Sequence, residues 1–206
     1  MENVIFNKIP KDMKRNDILL DSVKLIEIEN FLSIEECELL VNSANYHGFS
    51  SLEKEYPEDY RSNKRLVSYA NLTSKILWKR LQKMLNGKDF NGISPFGYGY
   101  EGIWKPIGLN TCFKFSVYEE GDFFKPHFDG IFIPVENQST IVTMMIYLND
   151  NFEKGESVFY SEKNDKEVQI KPFIGKAVLF NHDIPHEGKP IKKGFKYILR
   201  TGEFKI

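Results

Sequence analysis

The stretch from Thr111 to Tyr118, TCFKFSVY, opens a part of the chain unlike what precedes it. Short β-prone runs then recur with turn signals between them: Thr140–Leu148 (TIVTMMIYL), Ser157–Tyr160, Val168–Lys171, Ala177–Phe180 and Phe195–Phe204. Many short strands at this spacing predict a sandwich or jelly roll. Upstream, Val23 to Ile28 alternates as a short strand, and Ser33-Ile34-Glu35-Glu36 carries a capping-box pattern that predicts a helix to about Ala44. Asn71 or Thr73 caps a second helix with Leu77, Leu81, Met84 and Leu85 on one face, stopped by Gly87. Two helices ahead of a β core would cover one of its sheets. The expected fold is therefore mainly β with N-terminal helices, a double-stranded β-helix.

The rest reads as connection. Residues 1–22 are polar and mixed, an irregular or docking arm, and residues 46–70 form a loop with short strands. Residues 87–110 are glycine-rich and form a long turn-rich connection, where Trp104 and the Tyr98/Tyr100 pair act as a lid or pack the loop down. At 206 residues the chain is one domain. Residues 1–110 supply helical support and substrate-side loops, and residues 111–206 the jelly-roll catalytic core.

Net charge is −1, from 28 basic and 29 acidic side chains, which removes any global field for nucleic acid. Aromatic residues make up 14%, with 17 Phe and 10 Tyr, as suits a β-rich fold. Cys37 and Cys112 have no metal-spaced partner and read as buried thiols in a reducing compartment. The first residues lack a signal-peptide core and no run reaches membrane-span length, so a soluble, cytoplasmic protein is expected. Its oligomeric state is not legible.

Four histidines remain to be placed. His127-Phe128-Asp129 puts an imidazole and a carboxylate on one side of an extended segment, and His186-Glu187-Gly188 follows far downstream. Two histidines and one carboxylate brought together make the facial triad of a non-haem Fe(II) site, with open positions for co-substrate and O2. Taken alone, Lys125–Gly130 reads equally as a surface turn, and the distal ligand is His186 or His182.

The ordered string is more specific than any one piece: Tyr118-x-x-Gly121, His127-x-Asp129, Ile146-Tyr147-Leu148-Asn149, Gly155-Glu156-Ser157-x-Phe159, Phe180, His186-Glu187-Gly188 and Gly194-x-Lys196-Tyr197. It resembles the prolyl-4-hydroxylase-like branch of the 2-oxoglutarate/Fe(II) dioxygenases over roughly residues 23–206. Lys154 and Ser157 depart from the family's usual glycine and threonine at that turn. The resemblance implies iron on His127, Asp129 and His186, with His182 left as a neighbouring or surface residue. It implies 2-oxoglutarate anchored by Lys196, ten residues past His186, with Tyr147 and Tyr118 as hydroxyl donors and Arg200 as the competing cation. Arg61, Arg65 and Asn110 are implied substrate contacts in R-x-N-x-R and G-L-N elements, against the reading of Arg61–Arg65 as a solvated basic loop.

The implied cofactor and co-substrates are Fe(II), 2-oxoglutarate and O2, with ascorbate as an optional addition. The implied reaction is C–H hydroxylation of a peptidyl prolyl or other protein side chain, releasing succinate and CO2. Two rivals stand beside it: an oxygenase of a small molecule or free amino acid, and a non-catalytic jelly-roll binding module with a vestigial metal site.

Overall fold

Every residue of the nine-residue strand Ser139–Tyr147 is buried, which only a strand covered on both faces achieves. The computed structural model describes residues 6, 9–21, 23–89, 93, 105–133 and 138–205. In chain order its strands are β1 (Lys14–Leu20), β2 (Val23–Glu29), β3 (Lys64–Tyr69), β4 (Pro106–Leu109), β5 (Cys112–Tyr118), β6 (Phe124–His127), β7 (Ser139–Tyr147), β8 (Glu153–Lys154), β9 (Ser157–Tyr160), β10 (Glu167–Ile170), β11 (Ala177–Asn181), β12 (His186–Gly188), β13 (Ile191–Lys193) and β14 (Lys196–Lys205). The helices are α1 (Ile34–His47) and α2 (Asn71–Leu81).

The major sheet runs β1-β2-β11-β7-β14-β5-β3, with β4 also paired to β14, and the minor sheet runs β10-β9-β12-β6. Alternation along the central strands feeds two cores. Met144 and Ile146 of β7 and Leu199 of β14 join Leu40, Ala44, Leu77 and Leu81 of the helices. Met145 and Tyr147 of β7 and Ile198 of β14 instead pack with Phe124 and Phe159 of the minor sheet. The helices thus cover one face of the major sheet, and the minor sheet closes the other into a jelly roll.

Three local expectations change. The arm over residues 1–22 contains β1, whose seven residues pair in register with β2 from Lys14↔Glu29 to Leu20↔Val23. Its inward Leu20 is 2% exposed while Leu19 is 73% exposed, so pairing with an apolar neighbour overrides a polar composition. Helix α2 begins after Ala70 with no side-chain cap and ends at Leu81, short of Gly87, although Met84 and Leu85 still pack on the helical core. Cys37 is buried as expected, but Cys112 is only half-buried because the inner face of β5 opens there into a cavity; both thiols are free.

α1 carries the full capping box, with Ser33 Oγ accepting from Glu36 N and Glu36 accepting from Ser33 N. Glu36 also pairs with Arg80 of α2, at 2.8 and 2.9 Å to two guanidinium nitrogens, and both side chains are almost fully buried. The sequence marked Glu36 only as the capping-box acid, and Arg80 did not stand out. Trp104, Tyr98 and Tyr100 lie outside the described residues.

Candidate active site

β6 and β12 are neighbours in the minor sheet, and their register sets His127 opposite His186. Asp129 follows two residues after His127, beyond the end of β6. One ligand atom from each of His127, Asp129 and His186 lies within 4.8 Å of the others. Both imidazoles are oriented by backbone carbonyls. His127 Nδ1 is 2.8 Å from Lys125 O and His186 Nδ1 is 2.9 Å from Ile184 O. A carbonyl only accepts, so each Nδ1 carries the proton and each Nε2 presents a lone pair.

His127 Nε2 is buried with no hydrogen-bond partner. An orphaned buried nitrogen is costly unless something binds it. Burial, then the neighbouring His186, pushes the His127 imidazole down to about 3, and burial pushes His186 down as well. Both are therefore neutral at physiological pH, the form that ligates a metal. Burial alone would raise the Asp129 carboxyl, but Arg200 and the Thr143 hydroxyl hold it well below the usual carboxylate range. Arg200 donates to Asp129 Oδ1, and Thr143 Oγ1 donates to Asp129 Oδ2 at 2.5 Å. Two neutral imidazoles and one ionised carboxylate fit a divalent iron.

Two cavities meet at this cluster. The smaller, about 40 Å³, runs past His127 and His186 to Tyr118, Ser157 and Lys196. Lys196 is 1% exposed, its ammonium donates to Gly155 O at 2.6 Å, and it lies 5.3 and 5.5 Å from the Tyr118 and Tyr147 ring centroids. Burial pushes the ammonium down to about 7. Tyr147 does not line the cavity itself; its hydroxyl donates to Ser157 Oγ at 2.8 Å. The turn below is tight: a Cβ on Gly155, at φ +74, would meet Ile191 Cδ1 at 2.1 Å. Lys154 holds φ 66, a left-handed conformation that favours glycine and explains the family's usual choice there.

The larger cavity, about 630 Å³, opens from the other side of the cluster and includes Asn110, Lys114, His182 and Arg200 in its wall. His182 is 3% exposed and pushed down to about 4 by burial, yet it stands outside the three-residue cluster. Arg61 is not on a solvated loop. It is 4% exposed, lines both cavities, and holds its guanidinium 4.1 Å over the Phe124 ring, on which His127 stacks at 3.4 Å. Arg65 goes elsewhere, pairing with Glu55 at 2.6 and 2.7 Å away from both cavities. Asn110 lines the larger cavity while its Oδ1 caps the Cys112 N–H. Lys114 and Thr143 were missed in the sequence. Their only signal there is a polar side chain inside an apolar strand run.

A Probable prolyl 4-hydroxylase 3 of Arabidopsis thaliana is 30% identical over 86% of this chain and 69% of its own length. The family model described as the 2OG-Fe(II) oxygenase superfamily matches residues 113–201. The chain belongs to the prolyl-4-hydroxylase-like 2OG-Fe(II) oxygenases. The fold agrees: a prolyl-4-hydroxylase of Pseudomonas putida superposes with a TM-score of 0.62 at 16% identity, covering 87% of this chain and 91% of that one. A prolyl hydroxylase of Trichoplax adhaerens, solved with a hypoxia inducible factor peptide fragment, gives 0.62 at 22% identity, covering 87% and 83%. This oxygenase is an enzyme whose chemistry requires Fe(II), 2-oxoglutarate and O2.

Proposed function

We propose that this oxygenase hydroxylates a prolyl residue of a peptide or protein, with iron on His127 Nε2, Asp129 and His186 Nε2 and the distal carboxylate of 2-oxoglutarate on Lys196. The observation that carries the reading is the orphaned, buried His127 Nε2 at the junction of a narrow cavity ending in a buried ammonium and a wide cavity of about 630 Å³. The prolyl target is supported by the relative described as a probable prolyl 4-hydroxylase. The cavity volume fits a chain segment and a small metabolite alike, so the prolyl target rests on the relative.

When bound, iron and 2-oxoglutarate would direct oxidation by O2, with one oxygen atom entering the C–H bond and the other entering the succinate formed as CO2 is released. The protein's residues orient and exclude. Lys125 O and Ile184 O hold the two imidazoles in the ligating tautomer. Thr143 and Arg200 fix the Asp129 carboxylate and keep it ionised. Lys196, buried without a hydrogen-bonded carboxylate, gains an anion when the co-substrate enters, which sets the depth at which 2-oxoglutarate lies. Tyr118 and Phe180 wall that cavity against water.

The same reading treats residues 1–206 as one catalytic domain, supported by β1, β2, β3 and β4 lying in the sheet that carries Lys196. No helix among the described residues is long and apolar enough to cross a membrane. Two free thiols support a reducing, intracellular setting.

The test is succinate release with Fe(II), O2 and 2-oxoglutarate against a library of proline peptides, with mass spectrometry for one added oxygen atom. Peptide-stimulated turnover with oxygen on proline is expected. Stimulation by free amino acids alone would move the substrate to the small-molecule class, and no turnover with iron bound would leave a binding module.

A further inference from the structure

In the β5–β14 ladder Lys114 and Arg200 are direct cross-strand partners, and both side chains line the larger cavity. Like charges directly opposite one another destabilise a sheet. Here the pair is also half withdrawn from water: burial, then Arg200, pushes the Lys114 ammonium down. Lys114 makes no hydrogen bond or ion pair with any described residue. Arg200 spends one nitrogen on Asp129. Arg61, the third cation in the wall, bonds Asn63 through Nε at 2.7 Å and makes no hydrogen bond through its two terminal nitrogens to described residues. Asp129 is the one carboxylate among the described residues lining this cavity, so three cations face one anion there.

2-Oxoglutarate does not resolve this excess. Lys196 and Arg200 share a strand face but lie four residues apart, roughly 13 Å along the strand. Lys196 closes the narrow cavity, whereas Lys114 opens only into the wide one. An anion compensating Lys114 therefore enters from the substrate side.

We propose that Lys114 and Arg200 form an anion-binding subsite in the substrate cavity, which takes a carboxylate carried by the substrate close to its reacting carbon. The inference rests on reading the wide cavity as the substrate's, and it narrows that substrate to carboxylate-bearing molecules. An ammonium and a guanidinium side by side offer several N–H donors to the two oxygens of one carboxylate. Two sources share this chemistry: an acidic side chain beside the target in a peptide, and the free α-carboxylate of a terminal residue or amino acid.

The experiment uses the iron- and 2-oxoglutarate-loaded enzyme with end-blocked proline peptides that differ only in Glu versus Gln, scanned through the positions flanking proline. Parallel arms carry a free C-terminal proline and free proline. Wild type is expected to prefer Glu over Gln at one position, or a free over a blocked carboxylate, by about tenfold or more in kcat/KM. Lys114→Gln should collapse that ratio towards unity. It should also raise the Tm of the ligand-free protein by relieving the like-charge pair, an effect opposite to that of deleting a structural residue.

Equal use of Glu and Gln peptides, with blocked and free termini also equal, would overturn the subsite while leaving prolyl hydroxylation standing. Preference for free proline alone, abolished by Lys114→Gln, would uphold the subsite and remove the peptide reading. A raised 2-oxoglutarate requirement in Lys114→Gln with the acid–amide ratio intact would assign the lysine to the co-substrate and overturn the proposal. So would a lowered Tm, or a failure of every carboxylate-bearing probe to stimulate succinate release.

Discussion

His127 and His186 are register partners across the β6–β12 ladder, with ring centroids 4.2 Å apart. This pairing makes a candidate metal site of two distant segments, since a slip of one residue would turn either imidazole to the opposite face. His186 has a second constraint: its ring lies 4.6 Å from Phe180, edge to face.

His127→Ala and His186→Ala should therefore lose iron to the same extent, while His182→Ala keeps it. The readout is the rise in Tm on adding Fe(II) under anaerobic conditions. A shift retained by His186→Ala and lost by His182→Ala would reassign the distal ligand. Asp129→Ala should abolish succinate release. With the carboxylate present the wild type should hydroxylate and leave added chloride out of its product.

If Lys196 anchors 2-oxoglutarate as proposed, co-substrate binding should depend on pH. The folded value of Lys196, about 7, lies below the ordinary lysine value of 10.5, so between these limits the unfolded chain holds a proton that the native one lacks. Ligand-free stability should thus rise with pH across that window, by at most about 1.4 kcal/mol per unit, and fall as pH drops towards 7. On the proposed anchoring 2-oxoglutarate needs the ammonium, so its affinity should weaken above pH 7 by up to about tenfold per unit, with proton uptake on binding. Calorimetry in buffers of different ionisation enthalpy measures that uptake, and Lys196→Met should lack both effects.

Lys196→Met should raise the 2-oxoglutarate requirement far more than Arg200→Met. Removing one member of a buried charge pair costs about 3–5 kcal/mol. Initial-rate KM values for 2-oxoglutarate decide it, and the reverse ranking would move the anchor to Arg200.

Arg61 and Arg65 should behave differently. Arg61→Ala removes the guanidinium from the Phe124 ring on which His127 stacks, so coupled and uncoupled turnover should both fall. Arg65→Ala breaks a pair with the half-exposed Glu55 side chain, worth about 0–1 kcal/mol, and should leave the iron site intact. Succinate release with and without substrate separates the two variants.

Arg80→Met removes the guanidinium that pairs with the buried Glu36 between the helices. Urea unfolding should show a loss of about 3–5 kcal/mol. Metal affinity of the folded fraction should be unchanged, because the pair lies on the helical side of the major sheet.

The strand runs after Thr111, the capping box at Ser33 and the His127-x-Asp129 motif were legible because each is local. Alternation, cap chemistry and ligand type are written within a few neighbouring residues. Lys196, ten residues past His186, was legible through family spacing and is found buried. Other features needed the folded chain: β1 pairing with β2, the Glu36–Arg80 bridge, Arg61 turning inward while Arg65 turns to Glu55, and Lys114 set against Arg200. Each joins segments far apart in the chain or depends on which face a strand presents. Long-range register and burial, rather than residue type, decide whether a lysine or arginine ends in water, in a bridge or in the wall of a cavity.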